Sequence, residues 1–301
     1  MLYSDLSASD KRQNLREMLA SPGIKEFPGA FNAVSAKLIE DKGFDGVYVS
    51  GAVTAADLGL PDIGLTTLSE AASRAGVIAR MTELPVLADA DTGFGEMLNL
   101  ARTVQEFEAA GVSAIHIEDQ VNPKRCGHLD GKAVVDLDTA VKRITSAVRA
   151  RSDSNLVIMA RTDARAIDDL PTTIDRIKAL VDAGADAIFP EALLGLSEFE
   201  AVRNAVSVPV LANMTEFGKG ELFTKKQLED IGIDIVIYPV SLLRAAMGAA
   251  ERALDSLKRD GNLAAEVPHM QTRSRLYELL DYPSYNEFDS GIFNFKLNSD
   301  Q

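Results

Sequence analysis

One unit recurs along the chain. Gly43-Phe-Asp-Gly-Val-Tyr-Val-Ser50, Gly111-Val-Ser-Ala-Ile-His-Ile-Glu118, Gly184-Ala-Asp-Ala-Ile-Phe-Pro-Glu191 and Gly232-Ile-Asp-Ile-Val-Ile-Tyr-Pro239 each open on glycine. Each then runs through a small or acidic residue into a short apolar stretch that ends near a polar group. Segments of helical periodicity precede these units, as in Leu100 to Ala110 and Ile174 to Ala183. The glycine is therefore expected at a helix C-cap, where a left-handed backbone carries no Cβ clash. Between the units lie Leu84-Pro-Val-Leu-Ala-Asp89, Leu156-Val-Ile-Met-Ala-Arg161 and Val208-Pro-Val-Leu-Ala-Asn213. Continuous aliphatic runs of this length suit strands buried on both faces of a parallel sheet.

With Phe27 to Phe31 added, eight strands are expected near 27–31, 46–50, 86–91, 114–119, 157–163, 187–191, 209–214 and 234–239. Helical segments separate nearly all of them, which predicts an α/β fold of the (β/α)8 TIM-barrel type. A doubly wound open sheet is the alternative, but no Gly-x-Gly-x-x-Gly follows the first strand. The expected division is a barrel over 1–262 and a C-terminal helical arm over 263–301. Leu242 to Lys258 reads as a long helix, followed by another near His269 to Leu280 and a Tyr/Phe-rich end, Tyr282 to Phe295. Aromatic rings need a partner surface. Packing on a neighbouring subunit, by exchange of the arm, is the preferred reading; packing back on the same barrel is the other.

Composition excludes several classes. At 46% hydrophobic and 25% charged residues the chain is globular, and 45 acidic against 31 basic residues give a net charge of -14. Phosphate backbones and anionic bilayers would repel it, so neither nucleic acid nor membrane is an expected partner. One cysteine cannot form an internal disulfide. No apolar run reaches transmembrane length and no signal-peptide stretch opens the chain, so a cytoplasmic location is expected.

In such a barrel the chemistry belongs at the C-terminal strand ends. The polar residues expected there are Tyr48 and Ser50, Asp89 and Asp91, His116 and Glu118, Arg161 and Asp163, Glu191, Asn213 and Thr215, then Ser241 and Arg244. Carboxylates converging on one rim call for a cation. Asp89 and Asp91 alternate by two and should face the same side of a strand, offering hard oxygen ligands suited to Mg²⁺, or to Mn²⁺. Single acids of this set could equally cap helices or pair with lysines. Arg161, Arg244, Lys124 and Arg125 supply positive charge in an acidic protein and point to a carboxylate-bearing substrate. Cys126 lies in Pro123-Lys-Arg-Cys-Gly-His-Leu-Asp-Gly131, where Lys124, Arg125 and His128 would lower its pKa and make it a proton donor or nucleophile.

These motifs resemble the isocitrate lyase/phosphoenolpyruvate mutase superfamily. The resemblance rests on Tyr48-Val-Ser-Gly51, Leu58-Gly-Leu-Pro-Asp62, Ala88-Asp-Ala-Asp-Thr-Gly-Phe-Gly95, Ile117-Glu-Asp-Gln120, Lys124-Arg-Cys-Gly-His128 and Ala160-Arg-Thr-Asp163. Within it, Asn213-Met-Thr-Glu-Phe-Gly218 and His269-Met-Gln-Thr-Arg273 look most like the 2-methylisocitrate lyases. The resemblance implies Mg²⁺-dependent retro-aldol cleavage of (2S,3R)-2-methylisocitrate to pyruvate and succinate, in the methylcitrate cycle of propionate catabolism, by a homotetramer acting on a small di- or tricarboxylate. It implies Asp89 and Asp91 as metal ligands, partly through water, with Glu118 nearby. Ser50, Gly51 and Ala52 would bind the keto-acid portion, with Asp62, Lys124 and Gly127 also at the substrate. Arg161 would stabilise the forming carbonyl oxygen, and Glu191, Asn213, Thr215, Arg244 and Arg273 would bind the succinate portion. Cys126, with His128 beside it, would protonate the departing carbanion. The expected base is Tyr48 as phenolate, with Glu118 second. Lyases of this type often carry Ser-Gly-Gly where this chain has Ser50-Gly51-Ala52. Phe189, Ile237 and Pro239 are expected to form the apolar wall for the substrate methyl. A 2,3-dimethylmalate lyase, isocitrate lyase activity, an oxaloacetate decarboxylase and a non-catalytic metabolite-binding barrel are the alternatives.

Overall fold

The computed structural model describes residues 3–125, 131–218 and 220–293. Eight parallel strands run β1 (Lys25–Pro28), β2 (Val47–Val49), β3 (Val86–Asp89), β4 (Ala114–Glu118), β5 (Val157–Thr162), β6 (Ala187–Pro190), β7 (Leu211–Asn213) and β8 (Ile235–Tyr238). Ladders join β2 through β6 in order and, separately, β1, β8 and β7. Two parallel bridges, Gly29 with Tyr48 and Ile188 with Val210, stitch these arcs into a closed barrel. The expected strands are all present; β1 pairs with β8 over Lys25–Pro28, earlier than anticipated, and Gly29 bridges onward to Tyr48.

Strand alternation builds two cores. One set of side chains, including Phe27, Leu87, Ala114, Val157, Met159, Phe189, Leu211 and Ile237, fills the barrel interior. The opposite set packs against the helices, with Ile115, Ile117 and Ile158 among its members. The surrounding helices are α1 (Ala8–Ala20), α2 (Ala33–Asp41), α3 (Gly51–Asp57), α4 (Leu68–Ala79), α5 (Met97–Ala109), α6 (Leu137–Ala150), α7 (Leu170–Asp182), α8 (Leu196–Ala205) and α9 (Lys225–Asp230). In α5, Leu100, Thr103, Val104 and Phe107 are buried at the spacing of one helical face. Each fully buried Leu or Phe of this kind contributes about 1.5–3 kcal/mol.

Helix α1 closes the N-terminal end of the barrel. Its Leu15 enters the inner core, with Met18 and Leu19 packed against it. Lys11 donates to the carbonyls of Ala79 and Thr82 at 2.8 and 2.6 Å, and Arg12 Nε to that of Val112 at 2.9 Å. The open end is thereby the C-terminal one, where the inner side chains turn polar.

After β8 the chain runs through α10 (Ser241–Asp260), turns at Gly261 in a left-handed C-cap, and continues into the arm helices α11 (Arg273–Leu279) and α12 (Tyr282–Phe293). Helix α10 buries only Ser256. Its apolar positions Leu243, Met247, Ala250, Leu254 and Leu257 follow a four-three-four-three spacing, and Met247, Leu254 and Leu257 are exposed. Helix α11 packs back on α2, where Arg275 pairs with Asp41.

Candidate active site

Period-two alternation on the strands brings the polar residues together above the apolar layers of the interior. Tyr48, Asp89, His116, Glu118, Arg161 and Glu191 are all buried there, though each is polar or charged. Arg161 is the hub. Its Nε lies 3.0 Å from Asp163 Oδ2 and 3.4 Å from Glu118 Oε2, and its Nη2 lies 4.0 Å from Glu191 Oε2. The guanidinium also sits over the Phe189 ring at 5.0 Å. Asn213 donates from Nδ2 to Glu191 Oε2 at 3.2 Å. Burial disfavours the cation, but Asp163, Glu118 and Glu191 outweigh it and hold Arg161 firmly charged.

Asp89 and Asp91 meet, but not by strand alternation. β3 ends at Asp89, and Asp91 lies beyond it with φ 46°, a left-handed turn that Asp tolerates better than most residues. The turn directs the Asp91 N–H to Asp89 Oδ1 at 2.9 Å. Both carboxylates then face Gly51, whose N–H donates to Asp89 Oδ2 at 3.1 Å. A Cβ on Gly51 would stand 2.7 Å from Asp89 Oδ2 and 3.3 Å from Asp91 Oδ1, so only glycine fits. Ser50 is the N-cap of α3, and Ala52 sits half-buried in its first turn.

The two acids titrate apart. Burial raises the Asp89 carboxyl, but the facing His116, Lys124 and Arg161 hold it down at about 2. Burial and the Asp89 charge push Asp91 up to about 6. Lys124, buried and held in its charged form by these acids, places its ammonium 2.7 Å from Asp91 Oδ1 and also pairs with Asp62.

The donors fit a hard cation held sparingly. Both Glu118 oxygens are buried without a hydrogen-bond partner, and Asp91 Oδ1 lacks one of good geometry. Among the described residues no three His, Cys, Asp or Glu side chains close on one point. An ion here would take one or two carboxylates and complete its shell with water, as Mg²⁺ does. The absence of histidine and thiolate from this donor set disfavours zinc.

Tyr48 reaches His116, with Oη 2.7 Å from Nε2. Burial lowers His116 to about 4, so its ring is neutral at physiological pH. Burial and Asp89 drive the Tyr48 phenol well above its usual range. That direction favours the neutral phenol over the expected phenolate. Burial also pushes the Glu118 carboxyl well above its ordinary range, against the pull of Arg161.

A cavity of about 250 Å³ opens beside Glu191, lined by Lys132, Arg165, Asn213, Thr215 and Glu221 on its polar side. Its apolar wall is Leu193, Phe199, Met214 and Phe223. Of the expected wall, Phe189 lies against both Arg161 and His116, Ile237 belongs to the packed inner core, and the Pro239 carbonyl abuts Gly29. Strand position alone does not distinguish floor from wall.

Not every expected residue converges. Arg244 stands at the rim, donating to the Glu216 carbonyl at 2.6 Å and lying over the exposed Phe217 ring at 5.3 Å. Arg273 is exposed on α11, whose neighbour Arg275 pairs with Asp41 at the C-terminal end of α2, the far end of the barrel. With α11 packed on α2, Arg273 lies apart from the residues gathered around Arg161. Cys126, Gly127 and His128 lie outside the described residues. Two contributors escaped the expected catalytic set. His116 was visible as the inward partner of Glu118 two residues on; Lys132 had no local signal, since Asp163 is far along the chain.

The match to known proteins is extensive. Residues 15–258 match the family of phosphoenolpyruvate phosphomutase. A probable 2-methylisocitrate lyase of Corynebacterium glutamicum is 56% identical over 99% of this chain and 97% of its own. The 2-methylisocitrate lyase of Aeropyrum pernix is 45% identical over 92% of this chain and 90% of its own. The crystal structure of 2,3-dimethylmalate lyase superposes with a TM-score of 0.88 at 34% identity, covering 98% of this chain and all (100%) of that one. Taken with the barrel and its buried acidic rim, these matches show that the chain belongs to the phosphoenolpyruvate phosphomutase family, within the isocitrate lyase/phosphoenolpyruvate mutase superfamily, and is a carbon–carbon lyase.

Proposed function

We propose that the chain cleaves (2S,3R)-2-methylisocitrate to pyruvate and succinate with Mg²⁺ bound at Asp89 and Asp91. The observation that carries this reading is the Arg161 guanidinium beside a phenol–imidazole pair and an Asp89–Asp91 pair inside one buried rim. Names of full-length relatives support the same substrate.

Bound Mg²⁺ would supply Lewis-acid polarisation of the substrate's 2-oxygen and counter-charge for its carboxylate. The remaining work falls to the chain. The 2-hydroxyl proton passes to Tyr48 Oη while the phenolic proton passes to His116 Nε2, which is neutral and able to accept it. Asp89 Oδ1, 3.8 Å from His116 Nδ1, offsets the imidazolium charge. As the C2–C3 bond breaks, its electron pair leaves with the succinate half and the 2-oxygen becomes the pyruvate carbonyl. Arg161, fixed in advance, stabilises the transient negative oxygen. The Cys126 thiol, by its motif, protonates C3 of the departing fragment. Ser50, Gly51 and Ala52 would hold the keto-acid half, with Asp62 and Lys124 beside it; Glu191, Asn213 and Thr215 would hold the other.

A 2,3-dimethylmalate lyase is the second reading, favoured by the 34% identical structure. A methyl-sized difference in an apolar pocket is worth only ~1–3 kcal/mol. Pyruvate release measured with methylisocitrate, isocitrate, dimethylmalate and oxaloacetate, with products identified by mass spectrometry, tests the assignment. Turnover of another acid with none of methylisocitrate would overturn it.

The same reading extends to assembly as a homotetramer with exchanged arms. In support, α10 exposes an apolar seam, while Pro28, Leu38, Ile39, Phe44, Tyr238 and Leu242 line an open groove of about 470 Å³. The barrel over 1–262 would then be the catalytic domain and 263–301 part of the contact. A cytoplasmic location fits the composition, and among the described residues no helix is long and apolar enough to cross a membrane.

A further inference from the structure

We propose that Lys132 is a positioning residue for this lyase: by sharing the Asp163 carboxylate with Arg161, it sets the direction of the guanidinium and the charge left to it. The inference rests on the reading of Arg161 given above.

Lys132 Nζ lies 2.7 Å from Asp163 Oδ1, with side chains 2% and 0% exposed. The same carboxylate accepts from Arg161 Nε at 3.0 Å on Oδ2 and from Nη2 at 3.3 Å on Oδ1. Asp163 is fixed from behind as well. Its N–H donates to Asp119 Oδ1 at 3.0 Å, and Asp119 Oδ2 accepts from Thr162 at 2.6 Å and from Arg176 at 2.7 Å. The remaining freedom of Asp163 is rotation of its carboxylate, and Lys132 governs that rotation.

Charge makes the arrangement consequential. Arg161 faces Glu118, Asp163 and Glu191, and Asp163 is the nearest of the three. Without the second cation, Asp163, whose two oxygens already accept from the guanidinium, would pair with Arg161 alone, drawing it toward the barrel wall and cancelling more of the potential meant for a developing oxyanion. Preorganised charge of this kind commonly dominates transition-state stabilisation. Lys132 also lines the 250 Å³ cavity together with Glu191, which in turn faces Arg161.

A buried ion pair contributes little net stability, but removing one partner is damaging, whereas neutralising both is often tolerated. That asymmetry separates positioning from scaffolding. Wild type, Lys132→Met, Lys132→Arg and the double variant Lys132→Met/Asp163→Asn are compared for Tm, kcat and KM on whichever 2-hydroxydicarboxylate the wild type cleaves. Lys132→Met is expected to lower kcat at least ~30-fold with KM within ~3-fold, because a misplaced positioning group costs ~10²-fold in rate. Lys132→Arg should restore most of the kcat. Where Lys132→Met folds poorly, the double variant should recover Tm while kcat stays low. Near wild-type kcat in folded Lys132→Met, or recovery of kcat together with Tm in the double variant, would overturn the proposal. Failure of wild type on methylisocitrate, with another acid cleaved, would remove the substrate assignment and leave the Lys132 comparison standing.

Discussion

Tyr48 and His116 form a closed pair inside the barrel: their rings stack at 5.8 Å with planes 12° apart, and the phenol oxygen lies 2.7 Å from Nε2. The pair joins β2 to β4 across β3, which donates Asp89 between them in the ladder order. Since burial holds the phenol protonated and the imidazole neutral, neither ring alone is a strong base. Together they offer a proton somewhere to go.

Tyr48→Phe should therefore keep the fold, because the ring stays packed, and lose ~10²–10⁴-fold in kcat, the usual span for general acid–base catalysis. His116→Gln should show a comparable loss with a small change in KM. Steady-state kinetics on pyruvate release checks both.

Metal binding should show a pH signature through Asp91. Its native pKa, about 6 without metal, exceeds its ordinary 3.8. The protonated native form is thus stabilised at low pH, and that contribution is lost as pH rises through about 6. Mg²⁺ needs the ionised carboxylate, so its thermal stabilisation should be small at about pH 5 and larger at about pH 7.5. Differential scanning fluorimetry with and without Mg²⁺ reads this. An equal shift at both pH values, or one retained in Asp91→Asn, would contradict the assignment.

Neighbouring small residues should behave oppositely. Gly51→Ala drives a methyl into the Asp89 carboxylate and should cost ~10²-fold or more in kcat, as a displacement near 1 Å can. Ala52→Gly should preserve kcat within several-fold and cost up to ~1 kcal/mol in stability from the helix interior. Urea unfolding and kinetics on the two variants give the comparison.

Cys126→Ser should remove most turnover, by ~10²–10⁴-fold, while leaving Mg²⁺ and pyruvate binding intact by calorimetry. Kinetics like those of the wild type would refute the acid role.

Leu254→Glu places a charge on the exposed seam of α10. It should shift the particle to a smaller mass by light scattering without lowering the helix content. A monomeric wild type would dispose of the exchanged arm altogether.

The eight-stranded barrel was legible because parallel strands buried on both faces are written as unbroken aliphatic runs, each closed by glycine or a polar residue. Period-two spacing from that pattern also located Tyr48, Glu118, Arg161 and Glu191 within one rim. Local pattern carries no information on partners distant in sequence. Asp91 reaches Asp89 through a left-handed turn. Lys132 finds Asp163 only when β5 lies beside β4. The packing of α11 on α2, which places Arg273, is also invisible in the local pattern. The pKa values of Asp91, His116 and Tyr48 were likewise out of reach, since burial and neighbouring charge set them, and both exist only once the chain has closed on itself.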